Sequence, residues 1–382
     1  MSKISVTKTA SYDPQALDLA IDVHMSAFDM KSRISPDSKV AIKPNLLMRA
    51  APDRAITTHP EIIAAVLRWL RQHGVSDITI AESPGGPHTK SQLEGVYRAT
   101  KIADIAAEYG AELNLDTGWT AMPCPEGLLC REFTVINPIA HADIVINLPK
   151  LKTHGMTMLS GAVKNIMGVI PGLQKPEMHF RFQDKETFGR MLVDLSLVKP
   201  PVITIVDAVV SMEGDGPSGG TPRETGLIFA AQNPHALDLA LCDFIGLPAM
   251  YVPTLSDAIA RGLCPESAEN LEYTGDGRPE TAVGYKLPSS SLPIGFYAQA
   301  PKFLHGIVKF LSEKIFTPYP VVRPRDCTGC GKCAESCSPD AITFSGRKAV
   351  IDYKGCIKCF CCHEMCPEKA IDIRRSRIFR RW

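Results

Sequence analysis

Residues 327–337 read CTGCGKCAESC, and residues 356–366 read CIKCFCCHEMC. Both stretches follow the spacing CxxCxxCxxxC, so eight cysteines occupy matching positions in two loops. Three thiolates at i, i+3 and i+6 can surround three irons of a cubane cluster. Zinc ribbons also contain CxxC pairs, but a zinc ion takes four ligands and does not require two runs of four. The two runs therefore predict two four-iron, four-sulfur clusters in a small domain of their own.

The cysteine runs, together with the Ala-Ile pairs at Ala341-Ile342 and Ala370-Ile371, resemble the bacterial two-cluster ferredoxins. In that family the last cysteine of each run ligates the cluster of the other run. The resemblance therefore implies two ligand sets. These are Cys327, Cys330, Cys333 with Cys366, and Cys356, Cys359, Cys362 with Cys337. Cys361 lies between ligands of the second run, and we predict that it is a bystander thiol.

Composition limits the classes of partner and compartment. The chain has 382 residues, which predicts one large domain and a small one. Its 42 basic and 41 acidic residues leave a net charge of +1, so neither nucleic acid nor an anionic membrane is expected as a partner. No apolar stretch has the length of a signal peptide or a transmembrane helix, which predicts a cytoplasmic protein. Nine of the 13 cysteines lie between Cys327 and Cys366, a distribution that favours metal-bound thiolates over disulfides.

Upstream of the cysteines, short apolar stretches alternate with helical patterns. The predicted strands are residues 39–47, 78–81, 143–147, 202–206 and 226–230. Thr58-His59-Pro60-Glu61 has capping-box spacing and opens a predicted helix that runs to Gly74. A second predicted helix, residues 91–109, ends at Gly110. The alternation predicts an α/β three-layer domain with a mostly parallel sheet, followed by a small α+β ferredoxin-like iron-sulfur domain.

We expect four parts along the chain. They are an α/β domain (residues 1–285), a linker (286–320), the two-cluster ferredoxin domain (321–375) and a basic tail (376–382). The linker contains one amphipathic helical pattern at residues 301–316, whose apolar side we expect to dock on the large domain rather than on a membrane surface.

Parallel sheets bind ligands beyond the carboxyl ends of their strands. The densest polar segment, residues 148–179, follows one such end, and its lysines alternate with glycine turns. Lysines and main-chain N–H groups in this arrangement can cradle phosphate or carboxylate, although a basic loop can also be merely solvated. We therefore predict an unidentified anionic small molecule in the α/β domain. Its predicted binding residues are Lys43, Asn45, Lys150, Lys152, Ser160, Asn165, His179 and Asp207.

Five segments of the large domain resemble the family called domain of unknown function 362, many of whose members end in a ferredoxin-like module. The segments are residues 43–45, 57–60, 148–172, 213–217 and 233–238. The resemblance implies an architecture and names no reaction.

A more distant resemblance, to the nickel-pincer lactate racemase family, rests on an ordered set of residues. The set is His154, Ser160, Gly161, Lys164, Pro171, Gly172 and His179. In that family a lysine anchors the cofactor covalently, one histidine ligates nickel and two others exchange protons with the substrate. The resemblance implies that Lys164 is the anchor and that His179 is the metal ligand. It also implies that His154 and His88 are the acid/base pair.

These observations predict an iron-sulfur oxidoreductase in which the ferredoxin-like module passes electrons to the bound anion. The predicted catalytic residues are His154, Lys164 and His88, because histidines can supply protons near neutral pH. The expected partners are a small-molecule substrate and a redox protein. Two alternatives stay open, namely a non-enzymatic electron carrier or docking scaffold for a larger redox complex, and nickel-pincer-type racemase-like chemistry. Neither a GxGxxG fingerprint nor a Walker loop occurs, so NAD, FAD and ATP are unsupported.

Overall fold

The computed structural model describes residues 2–290 and 318–374. Within these ranges ten strands form one mixed sheet. They are β1 (Ser2–Lys8), β2 (Val40–Pro44), β3 (Ile78–Ile80), β4 (Glu112–Leu113), β7 (Ile144–Leu148), β8 (Lys150–His154), β9 (Met158–Ser160), β10 (Ile203–Glu213), β11 (Thr221–Ala231) and β12 (Leu271–Gly275). Two further strands, β5 (Trp119–Pro123) and β6 (Glu132–Ile136), form a separate hairpin.

The sheet is mostly parallel. Its order is β12-β1-β11-β10-β7-β2-β3-β4, and β8 leaves this path by pairing with both β10 and β9. All neighbours from β10 through β4 are parallel, and so are β12 and β1. The exception on this path is β11, which runs antiparallel to β1 and β10. The predicted α/β fold class is therefore confirmed.

The predicted strands at residues 39–47, 78–81 and 143–147 correspond to β2, β3 and β7. In contrast, β10 and β11 are each 11 residues long and extend well beyond the predicted five-residue strands. The extension is a hairpin in which the two strands pair mainly with each other. The first half of β11 is polar and largely exposed, so it lacks the apolar alternation that marks a strand in the sequence.

Helices cover both faces of the sheet. They are α1 (Pro14–Ala27), α2 (Met30–Arg33), α3 (Pro60–Gln72), α4 (Lys90–Ala99), α5 (Ile102–Tyr109), α6 (Asn137–Ala140), α7 (Ala162–Ile166), α8 (Gln174–Arg181), α9 (Lys185–Ser196), α10 (Pro234–Ile245) and α11 (Pro253–Ala260). Ile42 and Ile146 belong to one apolar core, whereas their strand neighbours Ala41 and Val145 belong to another. Because successive strand residues point to opposite faces, two cores flank the sheet and give the predicted three layers.

The start of α3 differs from the prediction. His59 rather than Thr58 is the N-cap, since its Nδ1 accepts the N–H of Glu61 at 3.3 Å. The Thr58 hydroxyl instead donates to the carbonyl of Leu148 at 2.6 Å and so ties this loop to the end of β7.

The predicted helix at residues 91–109 is two helices, α4 and α5. The Thr100 hydroxyl donates back to the carbonyl of Val96 at 2.8 Å, and Lys101 adopts a left-handed conformation with φ 64°. A residue in the left-handed conformation cannot continue a right-handed helix, so the predicted helix is interrupted there. Gly110 ends α5 as predicted.

The C-terminal module is a small α+β unit. Its elements are β13 (Tyr319–Val322), α12 (Lys332–Glu335), β14 (Ile342–Ser345), β15 (Lys348–Ile351), α13 (Cys361–Glu364) and β16 (Ile371–Arg374). β13 pairs with β16 and β14 pairs with β15, while each short helix lies inside one cysteine run. The predicted linker helix at residues 301–316 and the basic tail at 376–382 lie outside the described residues.

Candidate functional site

A cleft enclosing about 720 Å³, part of it open to solvent, lies between the carboxyl edge of the sheet and the cysteine module. Seven predicted site residues line it: Asn45, Lys152, His154, Ser160, Lys164, Asn165 and His179. Glu82, Ser83 and Lys175 also line it from the α/β domain. The module contributes Ser336, Cys361, Glu364 and Met365. Seven of the eleven site residues predicted in the α/β domain therefore meet at one site, and the second domain closes it.

Glycines let the module approach the α/β domain closely. A Cβ atom at Gly219 would lie 2.6 Å from Cε1 of His363, and one at Gly155 would lie 2.9 Å from Cδ1 of Ile373. Both distances are too short for a real side chain, so only glycine fits the present contact. Directly beside this contact, the Ser218 hydroxyl donates to the backbone carbonyl of a module residue, Glu364, at 2.7 Å.

Two of the cleft lysines are held by oxygen acceptors. Nζ of Lys152 donates to Oδ1 of Asn45 and to the carbonyl of Ile56, both at 2.7 Å. Nζ of Lys175 donates to the carbonyl and to the hydroxyl of Ser83, both at 2.9 Å. Burial lowers the pKa of each lysine to about 7, so each exchanges its proton near neutral pH.

Lys164 has no such acceptor. Its Nζ lies 3.2 Å from the thioether sulfur of Met167 and 5.9 Å from the ring centre of Phe188. Burial lowers its pKa, and the negative charge of Glu364 opposes that shift. Among the described residues, no carboxylate or carbonyl oxygen accepts a hydrogen bond from it. Its hydrogen-bonding capacity is therefore available to a ligand.

His154 and Glu364 meet across the domain junction. Nδ1 of His154 accepts the N–H groups of Met156 at 3.0 Å and Thr157 at 3.3 Å, so the proton of the neutral ring resides on Nε2. Nε2 lies 3.1 Å from Oε1 of Glu364, but neither buried atom has a hydrogen-bond partner. The two atoms are close enough for an electrostatic contact and are not aligned for a hydrogen bond.

The environment sets the charges of this pair. Burial lowers the pKa of the His154 imidazole, although Glu364 opposes the shift. Burial alone would raise the pKa of the Glu364 carboxyl, but His154 and Lys164 hold it down at about 2. At neutral pH the cleft therefore presents an ionised carboxylate beside an imidazole whose protonation burial disfavours.

His179 is also buried and neutral at pH 7. Its ring stacks on Phe188 with centres 4.2 Å apart, and its Nδ1 lies 3.2 Å from the sulfur of Met156. Burial lowers its pKa to about 3.

A chain of amides fixes the floor of the cleft. Nδ2 of Asn45 donates to Oδ1 of Asn165 at 2.9 Å, and Nδ2 of Asn165 donates to Oδ1 of Asn147 at 2.8 Å. These bonds orient the predicted binding amides before any ligand arrives.

Three predicted binding residues do not line the cleft. Lys43 lies behind it and forms a buried ion pair with Glu82, which does line it. Lys150 and Asp207 form a second buried ion pair at 2.8 Å. The Tyr12 hydroxyl donates to Asp207 at 2.9 Å and accepts from Lys150 at 2.7 Å, which satisfies the pair internally. This second pair joins β8 to β10.

His88, a predicted catalytic residue, is also set back from the cleft. Its Nδ1 lies 3.2 Å from the hydroxyl of Ser83, which is the residue that reaches the cleft. Burial lowers the pKa of His88 to about 4, and Lys175 adds to the shift.

The short helix α7, which carries Lys164, is positioned by Asp238 on α10. The Asp238 carboxylate accepts the N–H groups of Ala162 at 2.6 Å and Val163 at 3.1 Å. A Cβ at Gly161 would overlap this carboxylate, so the chain needs glycine there. Asp238 received no role from the sequence, and its function is to hold α7 in place.

Several cleft residues were not among the predicted site residues. They are Glu82, Ser83, Lys175, Ser336, Glu364 and Met365. Glu82 and Ser83 follow β3 directly, so the carboxyl-edge rule could have included them. Nothing in the local sequence marks Glu364, because its role depends on contact with the other domain.

The cysteines of the module surround two cavities. The far cysteine set, Cys327, Cys330, Cys333 and Cys366, lines a cavity enclosing about 340 Å³, part of it open to solvent. The near cysteine set, Cys337, Cys356, Cys359 and Cys362, lines one enclosing about 320 Å³, also partly open to solvent. Each set joins three cysteines of one run to the last cysteine of the other. This grouping, four sulfurs around a cavity, fits a cubane cluster. The ligand assignments themselves stay predictions.

Comparison with known protein families identifies both domains. A family model described as a domain of unknown function, DUF362, matches residues 40–243, more than half of the chain. The chain belongs to the DUF362 family. A model described as a 4Fe-4S dicluster domain matches residues 319–367 of this DUF362 protein. The cysteine module is therefore an iron-sulfur domain, as predicted.

Two curated relatives match different lengths of the chain. A thylakoid-associated protein of Synechocystis is 28% identical over 324 residues, which cover 82% of this chain and 98% of the relative. One component of an ion-translocating oxidoreductase complex from Methanosarcina acetivorans is 42% identical over 48 residues, or 13% of this chain and 18% of that protein. In the part of the chain that the structure describes, no helix is long and apolar enough to cross a membrane.

Two solved structures show partial likeness. The lactate racemase apoprotein from Thermoanaerobacterium thermosaccharolyticum has a TM-score of 0.43 and 11% identity, covering 64% of this chain and 57% of that one. A Thermotoga maritima protein has a TM-score of 0.33 and 10% identity, covering 57% of this chain and 55% of that one. The chain thus spans little more than half of each.

Proposed function

We propose that the protein is an iron-sulfur oxidoreductase whose cleft binds a small anion and exchanges electrons with it through the dicluster domain. One observation carries the proposal. Three buried polar atoms of cleft-lining residues lack a well-aligned hydrogen bond: Oγ of Ser336, and Nε2 of His154 and Oε1 of Glu364, which face each other at 3.1 Å. An unsatisfied buried polar group costs about 1–3 kcal/mol, so their grouping at one cleft favours a ligand that satisfies them.

The charges in and behind the cleft favour an anionic ligand. The cations are Lys43, Lys152, Lys164 and Lys175, and the carboxylates are Glu82 and Glu364. Lys43 is neutralised by Glu82, and Lys152 and Lys175, with pKa values of about 7, are each about half protonated at neutral pH, so together with Lys164 they still outweigh the one remaining carboxylate. Of these three, Lys164 lacks an oxygen acceptor and is the best placed to bind a carboxylate or phosphate oxygen.

Each side chain has a role in this proposal. Lys164 binds the anion, and the amides of Asn45 and Asn165 orient it. The Nε2–H group of His154 donates a hydrogen bond to the charge that develops on the reduced product. Lys152 or Lys175, whose pKa values burial lowers to about 7, supplies the proton. The clusters, when bound, supply single electrons at low potential.

The test uses anaerobically isolated, fully loaded protein. Reduced protein is mixed with pools of small carboxylates and phosphate esters, and the reoxidation of the clusters is followed by visible absorbance. We expect one pool to accelerate reoxidation, and His154→Gln to slow that step by about 100-fold while cluster content is retained. Lys164→Met should abolish saturation by the anion. Lys31→Met, at an exposed lysine of α2 far from the cleft and the cysteines, is the control and should leave both unchanged.

A non-enzymatic electron carrier is the second candidate, and the similarity to a component of an oxidoreductase complex favours it. A carrier requires no ligand in the cleft. If no anion reoxidises the protein, and His154→Gln and Lys164→Met leave electron transfer to a redox protein unchanged, the carrier replaces the oxidoreductase.

Racemase-like chemistry makes a different demand on the same residues. It requires a covalent group on Lys164 and stoichiometric nickel, both of which intact-mass and metal analysis of the isolated protein would detect. The location of the protein is a separate question, because one relative is named for thylakoid association. We propose a cytoplasmic location, which cell fractionation tests.

A further inference from the structure

The cleft touches the two cysteine sets unequally. Ser336 lines both the cleft and the cavity of the near cysteine set. Cys361 lines the cleft and lies in sequence between Cys359 and Cys362, two members of that set. The cavity of the far cysteine set shares no lining residue with the cleft. Ser336 therefore lies between the cleft and the near set.

The far set has the opposite surroundings. Cys330 is exposed, and Phe344, which lines the far cavity, is 42% exposed. In the second run, by contrast, Phe360, Cys361 and Met365 are buried against the α/β domain or within the module. One cysteine set thus faces the cleft and the other faces solvent.

We propose that Ser336 and Cys361 make the near cysteine set the one that communicates with the cleft, and that the far set receives electrons from a one-electron carrier protein outside. This inference rests on the proposed function and adds the direction of electron transfer, from the far set to the near set. With the clusters bound, each transfer would move one electron from the carrier protein through the far cysteine set to the near set, so that the carrier would be oxidised and the cluster held by the near set reduced. No bond forms or breaks within the module.

Charge in the cleft should then change the midpoint potential of the near cluster and leave that of the far cluster unchanged. An anion beside the near set disfavours its reduced, more negative state, so the anion binds more tightly to oxidised protein. At an effective dielectric constant near 20, the expected difference in affinity is about tenfold. By thermodynamic linkage, this tenfold difference in affinity lowers the midpoint potential of the near cluster by about 59 mV for one electron.

The experiment is a redox titration of the holoprotein monitored by electron paramagnetic resonance, with inorganic phosphate and with oxalate as probes. Two matched variants assign the signals, because Cys361 and Lys332 occupy equivalent positions in the two runs. Cys361→Ser should shift the near signal, and Lys332→Ser should shift the far signal. Lys164→Met gives a measurement that needs no ligand, since loss of a cation in the cleft should lower the potential of the near cluster alone.

The outcomes separate this inference from the proposed function. The inference is supported if phosphate, oxalate or Lys164→Met moves the signal that Cys361→Ser identifies and leaves the other unmoved. It is overturned if they move the signal that Lys332→Ser identifies, move both equally, or move neither. If neither probe binds but Lys164→Met still shifts the near signal, the inference stands and the anion site of the proposed function loses its support.

Discussion

The two cysteine runs have the same spacing and opposite environments. Glu335 and Glu364 stand at equivalent positions, two residues after the third cysteine of each run. Glu335 is exposed and forms an ion pair with Lys332 at 2.8 Å, whereas Glu364 is buried 3.1 Å from the imidazole of His154. The cysteines are the predicted cluster ligands, and the residues between them differ according to which side of the module faces the α/β domain. At this position the first cysteine run thus faces solvent, whereas the second forms part of the cleft wall.

The largest expected effect tests which cysteines of the second run ligate a cluster and which only line the cleft. Cys359→Ala should remove one cluster, so that about four of about eight irons per polypeptide are lost. Cys361→Ala should retain all of them, because we predict that this thiol faces the cleft and does not ligate. Iron analysis after anaerobic reconstitution measures both. Equal iron loss in the two variants would show that Cys361 is a ligand and would remove it from the wall of the cleft.

The next effect concerns how closely the module is seated. Gly219→Ala would place a methyl group 2.6 Å from the ring of His363, which should destabilise the docked module by about 1–3 kcal/mol. Gly355→Ala is the control, because the nearest atom to a Cβ there is 3.5 Å away within the module itself. Hydrogen exchange of the second run measures the result. Faster exchange in the control than in Gly219→Ala would contradict the docked arrangement.

A smaller effect distinguishes the two equivalent glutamates. Glu364→Gln removes the carboxylate that faces His154 and Lys164, and we expect a loss of about 1–2 kcal/mol in the free energy of unfolding. Glu335→Gln breaks an exposed ion pair and should change it by less than about 0.5 kcal/mol. Denaturant unfolding of the loaded protein compares the two. If both variants lose the same free energy, the two runs do not differ in the way the structure indicates.

The smallest effect is a dependence on pH that only one cluster should show. The pKa of Lys152 and that of Lys175 are lowered by burial to about 7, under the additional influence of Glu364, Glu82, Lys43, Lys150 and Lys164. As pH rises through 7 these lysines lose protons, and the positive charge that favours the reduced near cluster decreases. Its midpoint potential should therefore fall, by less than about 59 mV, between pH 6 and 8. Lys152→Met should remove about half of the fall, and Lys152→Met combined with Lys175→Met most of it. An equal fall in the far cluster would rule out this cause.

Much of this arrangement was predictable from the sequence for a physical reason. Parallel strands end at a common edge, so polar residues after separate strands converge, and Asn45, Lys152 and Lys164 do line one cleft. The cysteine spacing likewise brings sulfurs from both runs around shared cavities.

Lys150 shows where such rules fail. It lies two residues from Lys152 on β8, which by simple alternation predicts the same side and the same site. In the structure β8 pairs with β10 through Asp207 and Met212, and the register is irregular between them. Lys150 therefore pairs with Asp207 instead of reaching the cleft. The sequence rules miss Glu364 for another reason. Its partner His154 is far away in sequence, and no local pattern distinguishes Glu364 from Glu335.

The glycine contacts at Gly155 and Gly219 also limit what can be interchanged. Side chains of the module come so close to these two positions that an unrelated ferredoxin fused at the same point, even with all eight cysteines in register, would need small or movable side chains there. A hybrid that keeps the present contact would have to carry over Phe360, His363, Glu364 and Ile373 along with the cysteines. For protein engineers, the portable unit of this molecule is therefore the second cysteine run together with β16.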